Sequence, residues 1–391
     1  MTEWKTYKLG DVCSRLRSGK GISASEVSTC GKYAVIGGNG VRGYADKSNF
    51  NGQCVVVGRQ GAYCGNVRYF DGEFYMTEHA VVIVGNELAD THFLAYLLST
   101  MHLGQLSAQS AQPGLSVQTL SKLEISLPSL EEQRRIAGIL GAIDDKIENN
   151  RRINTNLELQ AQALYKQWFV DFEFPNEAGK PYKSSGGKMV DSELGLIPEG
   201  WRVIGYCDVV DIKGGGTPPT TNPEFWSGSI PFFTPKDVSS DCFVLKTEKS
   251  ITEAGLSNCN SRLYAKNTVF ITARGTVGKV VMAGCSMAMN QTNYALIGKN
   301  GLSQYFVYLL TIALVDKLLK KANGAVFNAI TTRDFEGEQI VLPNIFVLGK
   351  FIDTISPLYQ KVLSIAKENE TLATLRDTLL PKLMNGEIIT K

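Results

Sequence analysis

The 391-residue chain contains an internal repeat, and this repeat constrains its fold more than any other feature. Glu124–Pro128 (EISLP) is echoed 215 residues later by Gln339–Pro343 (QIVLP), and Tyr96–Leu98 is echoed by Tyr308–Leu310. Each match is short, but the matches occur in the same order in both halves. The sequence therefore predicts two copies of one domain within a single chain.

Both halves follow one plan. Short runs rich in β-branched residues come first, such as Cys54–Val57, Ala80–Val84 and Thr268–Thr272, and glycine and asparagine interrupt them. A shorter helix follows, over 93–103 in the first half and 305–319 in the second. Each half then ends in a strand that closes at a Leu-Pro pair and in a long helix. The predicted fold class is α+β, with two similar mixed α/β domains, each followed by a long α-helix.

The long helices carry a regular apolar pattern. Their apolar residues alternate at spacings of four and three, which is typical of the a/d seam of a coiled coil, and adding 215 gives the same register in the second half. This predicts that the two helices pack on each other as an antiparallel coiled coil with pseudo-two-fold symmetry. Packing of each helix on its own domain is the alternative. The predicted seam comprises Ile136, Leu140, Ile143, Ile147, Asn154, Leu157, Leu164, Trp168, Phe351, Ile355, Leu358, Val362, Ile365, Asn369, Leu372, Leu379 and Leu383.

Asparagine and proline interrupt these seams. Asn154 and Asn369 occupy equivalent positions, where a buried polar side chain costs stability but fixes the register. We expect these two side chains to meet at the pseudo-dyad. Pro357 either kinks the second helix or marks its true start, and Pro381 is expected to bend the last turn.

The repeat and the local composition predict five segments. Residues 173–195 are rich in Gly, Pro, Ser and Lys, which is typical of a linker. The predicted order is a first domain over 1–128, a central helix over 129–172, the linker over 173–195, a second domain over 196–343 and a C-terminal helix over 344–391.

Composition narrows the class of protein. With 43% hydrophobic and 20% charged residues, the chain has enough apolar material for sizeable cores, which excludes wholesale disorder. No run of about 18 apolar residues occurs, so we expect no membrane-spanning helix. The first residues lack the apolar core of a signal peptide, so we expect a cytoplasmic chain. None of the eight cysteines forms a CxxC pair, and we expect reduced thiols.

Four segments, in this order, point to a known family: Leu127–Ile136 (LPSLEEQRRI), Gln167–Phe174 (QWFVDFEF), Glu193–Trp201 (ELGLIPEGW) and Leu379–Glu387 (LLPKLMNGE). On these segments the chain resembles the specificity subunits of type I restriction–modification systems over its full length. The sequence departs from the family pattern at the second helix, which starts after Pro343 without the EEQ found after Pro128.

The resemblance implies a division of labour. Each domain would be a target-recognition domain that reads one half of a split target in double-stranded DNA. The helices would set the spacing and dock modification subunits. Two modification subunits, which bind S-adenosylmethionine and methylate adenine, and two restriction subunits, which translocate and cut DNA, are the implied partners. The chain itself would be no enzyme and would hold no cofactor.

The residues agree with a non-catalytic role. The chain lacks an adenine-binding DPPY- or NPPF-type loop, a GxGxxG motif and a GxxxxGK[ST] motif, which disfavours a methyltransferase or nuclease acting alone. A coiled-coil scaffold or sensor without sequence-specific DNA binding is the alternative. The net charge is only +2, so we expect tight DNA binding to need the modification subunits.

Polar and basic residues in the Gly-rich segments are the candidates for DNA contact. Arg, Lys, Asn and Gln read base edges, while Lys, Arg and backbone amides bind phosphates. For any one of these residues, ordinary solvated surface is the alternative. The candidates are Arg15, Arg17, Lys20, Arg42, Arg59, Gln60, Tyr63, Arg68, Lys213, Thr217, Lys236, Arg274, Lys279, Asn290 and Gln291.

A few residues carry a narrower expectation. Arg59 and Arg274 lie in similar glycine-containing hairpins, so we expect a task common to both halves, either phosphate contact or scaffolding. His79 precedes an apolar strand and is expected to pack rather than to bind a ligand. Trp168, at the end of the first seam, is open to two interpretations, core burial or a partner-docking surface.

Overall fold

The computed structural model describes residues 4–107, 114–321 and 329–388. Contacts divide the chain into two compact units: unit 1 comprises Met1–Ile147 with Thr371–Lys391, and unit 2 comprises Glu148–Glu370. The division cuts both long helices. Each unit therefore contains one copy of the repeat together with segments of both helices.

Unit 1 contains the first copy of the repeat. Its strands are β1 (Lys5–Lys8), β2 (Cys13–Ser18), β3 (Tyr33–Gly37), β4 (Gly40–Ala45), β5 (Phe50–Gly58), β6 (Val67–Met76), β7 (Ala80–Gly85) and β8 (Glu124–Leu127). Its helices are α1 (Thr91–Thr100), α2 (Val117–Ser121) and the first part of α3 (Leu130–Tyr165). The apolar runs recognised in the sequence are the buried parts of β5 and β7.

A six-stranded sheet in the order β2-β7-β5-β6-β3-β4 forms the centre of unit 1. Adjacent strands within this sheet are antiparallel, except that β3 and β6 are parallel, with Ile36 opposite Met76. Helix α1 packs on one face through Phe93 and Leu94. Asp90 caps this helix by accepting a hydrogen bond from the Phe93 amide at 2.9 Å. The separate pairing of β1 with β8 ties the two ends of the copy together before α3 begins.

Unit 2 contains the second copy. Its strands are β9 (Met189–Val190), β10 (Ile197–Pro198), β11 (Arg202–Gly205), β12 (Val210–Gly214), β13 (Trp226–Phe233), β14 (Phe243–Val244), β15 (Lys249–Ile251), β16 (Val269–Thr272), β17 (Val280–Ala283), β18 (Ala288–Met289), β19 (Asn293–Gly298) and β20 (Gln339–Leu342). Its helices are α4 (Tyr206–Val209), α5 (Glu253–Ser257), α6 (Gln304–Lys321), α7 (Thr332–Glu336) and most of α8 (Ile345–Met384). A π-helical turn, Lys166–Val170, extends α3.

The strand topology of unit 2 repeats that of unit 1. The order β12-β19-β16-β17 matches β2-β7-β5-β6 strand for strand, with β14 added at the edge. A second sheet, β15-β13-β18, contains the counterpart of the parallel pair, with Phe233 opposite Met289. Strand β11 pairs with β20 as β1 pairs with β8. The predicted fold class, two similar mixed α/β domains each followed by a long helix, is confirmed.

Both units bury segments of the predicted seam. In unit 1, Ile136 and Leu140 of α3 lie in the same core as Leu383 of α8. In unit 2, the ring centres of Trp168 and Phe351 are 5.3 Å apart within one core, so Trp168 is a core residue. Every predicted seam residue is buried or half-buried.

Helices α3 and α8 run antiparallel within unit 2. The Asn150 side-chain amide donates to Asn369 Oδ1 at 2.8 Å, and one turn later the Asn154 amide donates to the Val362 carbonyl at 3.2 Å. The predicted pairing of Asn154 with Asn369 is therefore wrong. Equivalent positions in a repeat need not face each other, because the antiparallel register also depends on where the helices cross.

Helix α8 is continuous from Ile345 to Met384, although Pro357 and Pro381 lie within it. Pro357 therefore does not mark the start of the helix. Its side chain is exposed. Because proline has no amide hydrogen, the helix lacks one backbone hydrogen bond at each of these positions.

The segment predicted as a linker, 173–195, is folded onto unit 2. The ring of Phe174 stacks on those of Tyr182 and Trp201, with ring centres 4.5 and 5.0 Å apart. Strand β9 within the segment pairs with β10 just beyond it. The glycines and lysines give the segment a linker-like composition, but its aromatic residues anchor it to the core.

Candidate nucleic-acid interface

The polar candidates of unit 1 gather where the strands of its main sheet end. The Lys20 amide donates to the Met76 carbonyl at 2.9 Å, which brings the end of β2 beside the turn after β6. The Arg59 amide donates to the His79 carbonyl at 3.0 Å, which adds the end of β5. The turn between β3 and β4 packs against the end of β5. A Cβ atom added to Gly38 in this turn would lie only 3.1 Å from the Gly58 Cα. We call this surface of strand ends and turns rim 1 and define it by Lys20, Asn39, Arg59, Gln60, Asn66 and Arg68.

Rim 1, together with Arg42 on the adjoining strand β4, carries unneutralised positive charge. No carboxylate of the described residues forms an ion pair with Arg42, Arg59 or Arg68. Tyr63, in the turn after β5, is 55% exposed. Cationic and aromatic side chains presented together at strand ends suit a polyanionic partner with flat bases.

Arg15 and Arg17 lie on β2 within the sheet rather than at its end. Arg15 is half-buried, and its guanidinium carbon lies 4.9 Å from the centre of the Phe50 ring. Burial, followed by the charge of Arg17, lowers the pKa of Arg15 from its ordinary value. Arg17 is exposed. Arg15 therefore packs on the sheet, and of these two only Arg17 is presented to a partner.

Unit 2 has a corresponding surface of strand ends and turns, which we call rim 2. The Gly216 amide donates to the Met289 carbonyl at 3.1 Å, and the Asn290 amide donates to the Phe233 carbonyl at 3.0 Å. These bonds bring the ends of β12, β13 and β18 together, next to the turn between β16 and β17. Rim 2 is defined by Thr217, Lys236, Arg274, Lys279, Asn290 and Gln291.

Lys213, the remaining candidate in unit 2, lies on β12. Its ammonium is 3.6 Å from a carboxylate oxygen of Asp211, so part of its charge is already balanced. Arg274, Lys236 and Lys279 are exposed at rim 2. The structure therefore brings six of the seven candidates in unit 2 together and places Lys213 inside the strand.

Two amides of rim 2 have fixed orientations. Asn290 Oδ1 accepts hydrogen bonds from the Thr292 amide at 3.2 Å, from the Thr292 hydroxyl at 2.8 Å and from the Asn293 side chain at 2.7 Å. Gln291 accepts a hydrogen bond from the Thr217 hydroxyl. With these oxygens occupied, both residues offer N–H donors outward.

Backbone hydrogen bonds align the two rims residue by residue. The Arg59 amide donates to the His79 carbonyl, and the Arg59 carbonyl accepts from the Leu115 amide. Ala273 bonds in the same way to Thr292 and Ile330. The isolated β-bridges support this alignment. Gln60, which follows Arg59, and Arg274, which follows Ala273, each form one such bridge. Arg274 is therefore the counterpart of Gln60, and the task expected to be common to Arg59 and Arg274 rests on a pairing that is one residue out of register.

The aligned rims have different side chains on one backbone frame. Matching backbone bonds and bridges define each pair. The aligned pairs are Lys20 with Gly216, Gln60 with Arg274, Asn66 with Lys279 and Thr77 with Asn290. Because Thr77 is fully buried, the first three pairs are those at which the two units offer different groups from equivalent places.

Sequence reasoning missed two residues of rim 1, Asn39 and Asn66. The Asn66 side-chain amide donates to Asn39 Oδ1 at 3.5 Å, and Asn39 Oδ1 also accepts a hydrogen bond from Arg68. A signal was available for Asn39, since it lies between Gly38 and Gly40 in a hairpin turn. Nothing in the sequence distinguishes Asn66 from the other asparagines.

The histidine, cysteine and acidic side chains bear on whether the chain could hold a metal. His79 Nε2 lies 3.2 Å from Glu78 Oε1, in the turn before β7. The described residues contain no group of three or more His, Cys, Asp or Glu able to hold a metal. The cysteines are free thiols, and burial raises the pKa of Cys13 and Cys54 to about 12. In the part of the chain that the structure describes, no helix is long and apolar enough to cross a bilayer.

Comparison with known proteins gives one consistent result. The model of the type I restriction modification DNA specificity domain matches residues 1–159 and 198–373. The MjaIX specificity subunit of Methanocaldococcus jannaschii is 30% identical over 76% of this chain and 69% of its own length. The HindI specificity subunit of Haemophilus influenzae is 26% identical over 99% of this chain and all of its own length.

A solved structure shares the fold. The type I restriction–modification S subunit from M. genitalium superposes with a TM-score of 0.63 at 18% identity, covering 98% of this chain and 96% of that one. The duplicated strand frame, the two family matches along most of the length and the 30% identical relative agree. The chain belongs to the type I restriction modification DNA specificity family.

Proposed function

We propose that this chain is the DNA-recognition subunit of a type I restriction–modification complex, and that each unit reads one half of a bipartite target. One observation carries the proposal: the two rims have the same backbone frame but different polar side chains. Base identity is read through the donors and acceptors that a protein presents, while phosphates are bound without regard to sequence. Two frames with different side chains suit two different half-sites in one asymmetric target.

The helices suit a fixed spacing between half-sites. Helix α3 has 36 residues and α8 has 40, and both contribute buried seam residues to each unit. A continuous α-helix resists bending far better than a flexible linker does. We propose that α3 and α8 set the length of the non-specific spacer and dock the modification subunits.

In this proposal, the partner subunits carry out the catalysis. Two modification subunits would methylate adenine with S-adenosylmethionine as methyl donor, and two restriction subunits would translocate and cut DNA. This chain would supply only recognition. Because its net charge is +2, we expect modest affinity for DNA when it is alone and tight binding once the modification subunits surround the duplex.

Selection from a random DNA library tests the proposal. The chain is purified with its modification subunit and incubated with random duplexes at physiological salt, and the retained DNA is sequenced. We expect enrichment of two short blocks separated by a spacer of constant length. Retention without sequence preference would contradict the proposal and favour a coiled-coil scaffold. The chain alone serves as the control for the contribution of the modification subunit.

A further inference from the structure

We infer that Arg68, held in place by Asn39, reads a guanine in the half-site bound by unit 1. This inference rests on the proposed function and names one of its contacts. The side chain of Arg68 is exposed, and no carboxylate of the described residues forms an ion pair with it.

The guanidinium of Arg68 is nevertheless held at one edge. Its Nη2 donates to Asn39 Oδ1 at 3.3 Å, and that oxygen also accepts from the Asn66 side chain at 3.5 Å. Asn39 is thus oriented by two donors. Because a neutral amide holds the guanidinium, its charge stays available to a ligand. A side chain fixed before binding loses less entropy when the ligand arrives.

A glycine supplies the surface beneath this guanidinium. Gly40 has a φ of +106°, and a Cβ there would lie 3.3 Å from Arg68 Nη1. A larger residue would both strain the backbone and crowd the arginine. The turn between β3 and β4 therefore supports Arg68 through its backbone as well as through Asn39.

The free N–H groups of a fixed guanidinium select one base. Guanine presents two acceptors side by side in the major groove, O6 and N7, which match two parallel N–H donors. Adenine presents a donor beside its acceptor, so one of the two contacts becomes a clash of donors. Guanine is thus the base that a held, unneutralised arginine favours.

The comparison between units argues against a phosphate contact. Arg68 lies opposite Val56 in the ladder of β5 and β6, and its counterpart in the ladder of β16 and β17 is the buried Val281. Both units would bind the same phosphate backbone, so a phosphate anchor is expected in both. A residue present in one unit alone suits a feature that differs between half-sites, which is the base sequence.

Base substitution in the target tests the inference. The complex of the chain with its modification subunit is assayed for binding to duplexes that carry each base pair at each position, at one salt concentration. For Arg68→Ala we expect preference at a single G·C position, in one half-site, to fall about 5- to 150-fold. Arg68→Gln is expected to lose the same preference and to shift it toward adenine, which a carboxamide can contact with both its groups.

Asn39→Ala and Arg42→Ala complete the experiment. Asn39→Ala leaves the arginine in place but removes its support, so we expect a smaller loss at the same position. Arg42 lies in the same hairpin with its chain over Gly37, and no hydrogen bond within the described residues holds its guanidinium. Its removal takes one positive charge from the binding surface, so we expect weaker binding to all sequences alike and no change of base preference.

Three outcomes would overturn the inference. If Arg68→Ala weakened binding to all sequences alike, Arg68 would be a phosphate contact, and the proposed function would stand. If Arg42→Ala relaxed the same position equally, the effect would come from charge or hairpin shape. If the unmodified complex showed no sequence preference, the proposed function would fail and this inference with it.

Discussion

Asn150 and Asn154 lie one turn apart on α3, yet only one of them is satisfied by the partner helix. Asn150 pairs with Asn369 through a side-chain hydrogen bond of 2.8 Å. Asn154 donates to the Val362 carbonyl, but its Oδ1 is buried without a partner among the described residues. A buried acceptor without a donor costs stability, whereas a matched amide pair fixes the register.

The two asparagines should therefore respond in opposite ways to leucine. Asn154→Leu removes the unsatisfied acceptor and adds apolar contact, so we expect the free energy of unfolding to rise by about 1 kcal/mol. Asn150→Leu removes the amide that donates to Asn369, and we expect the free energy of unfolding to fall by about 1–3 kcal/mol. Urea denaturation of both variants checks this, and destabilisation by both would contradict it.

Glu158 links stability to pH. Its carboxylate accepts a hydrogen bond from the Tyr308 hydroxyl at 2.7 Å in unit 2. Burial raises the pKa of Glu158 above its ordinary value of 4.5, and the bonds from Tyr308 and Gln162 oppose only part of that rise. The folded protein thus holds this proton more tightly than the unfolded chain does. The contribution of Glu158 to stability therefore falls as pH rises through the interval between 4.5 and the raised pKa.

Glu158→Gln removes this titration and keeps an acceptor for Tyr308. We expect the variant to be more stable than the unchanged chain at neutral pH, with a difference that shrinks as the pH is lowered toward 4.5. Chemical denaturation of both proteins at a series of pH values measures the difference. A gap that stays constant with pH would contradict the assignment.

At the residue scale, the sequence shows the chemistry of each side chain but not how the two copies align. Basic and amide residues in glycine-rich segments could be identified from their types. The pairing of Arg59 with Arg274 could not be tested from sequence, because the backbone hydrogen bonds that align Arg59 with Ala273 are visible only in the structure. Short motifs do not reveal such an alignment.

At the scale of elements, α8 tolerates a proline in its interior. Helix interiors disfavour proline by about 3 kcal/mol relative to alanine, because the amide hydrogen is missing and the ring meets the preceding turn. Packing compensates on the opposite face, where Phe351, Ile355 and Tyr359 are fully buried. The seam holds the helix together across Pro357.

Pro357→Ala should therefore stabilise the helix. The side chain is exposed, so no core contact is lost, and a backbone hydrogen bond becomes available. We expect the free energy of unfolding to rise by about 1–3 kcal/mol. Thermal unfolding followed by circular dichroism measures this, and an unchanged or lower midpoint would show that the proline is needed where it is.

Elements with strong periodicity could be predicted, and those held by distant contacts could not. The four-three spacing of α3 and α8 depends only on neighbouring turns of one helix, so it is visible in sequence. The packing of the segment 173–195 depends on Trp201, which lies beyond it in the chain. Composition cannot report such a contact.

At the scale of the whole molecule, duplication separates what is shared from what differs. The strand order, the parallel pair and the closing strand pair recur in both units. The rim side chains do not recur. A duplicated chain in which each copy can change on its own is free to read a target without a palindrome, which a symmetric dimer is not.

The central claim is that one chain reads two different half-sites. Its most direct test is a map of methylated adenines across the genome of a methylation-free host that expresses this chain with its modification subunit. We predict one motif made of two short blocks of different sequence around a spacer of fixed length. A palindromic motif, a single undivided block or methylation without a sequence motif would contradict the account.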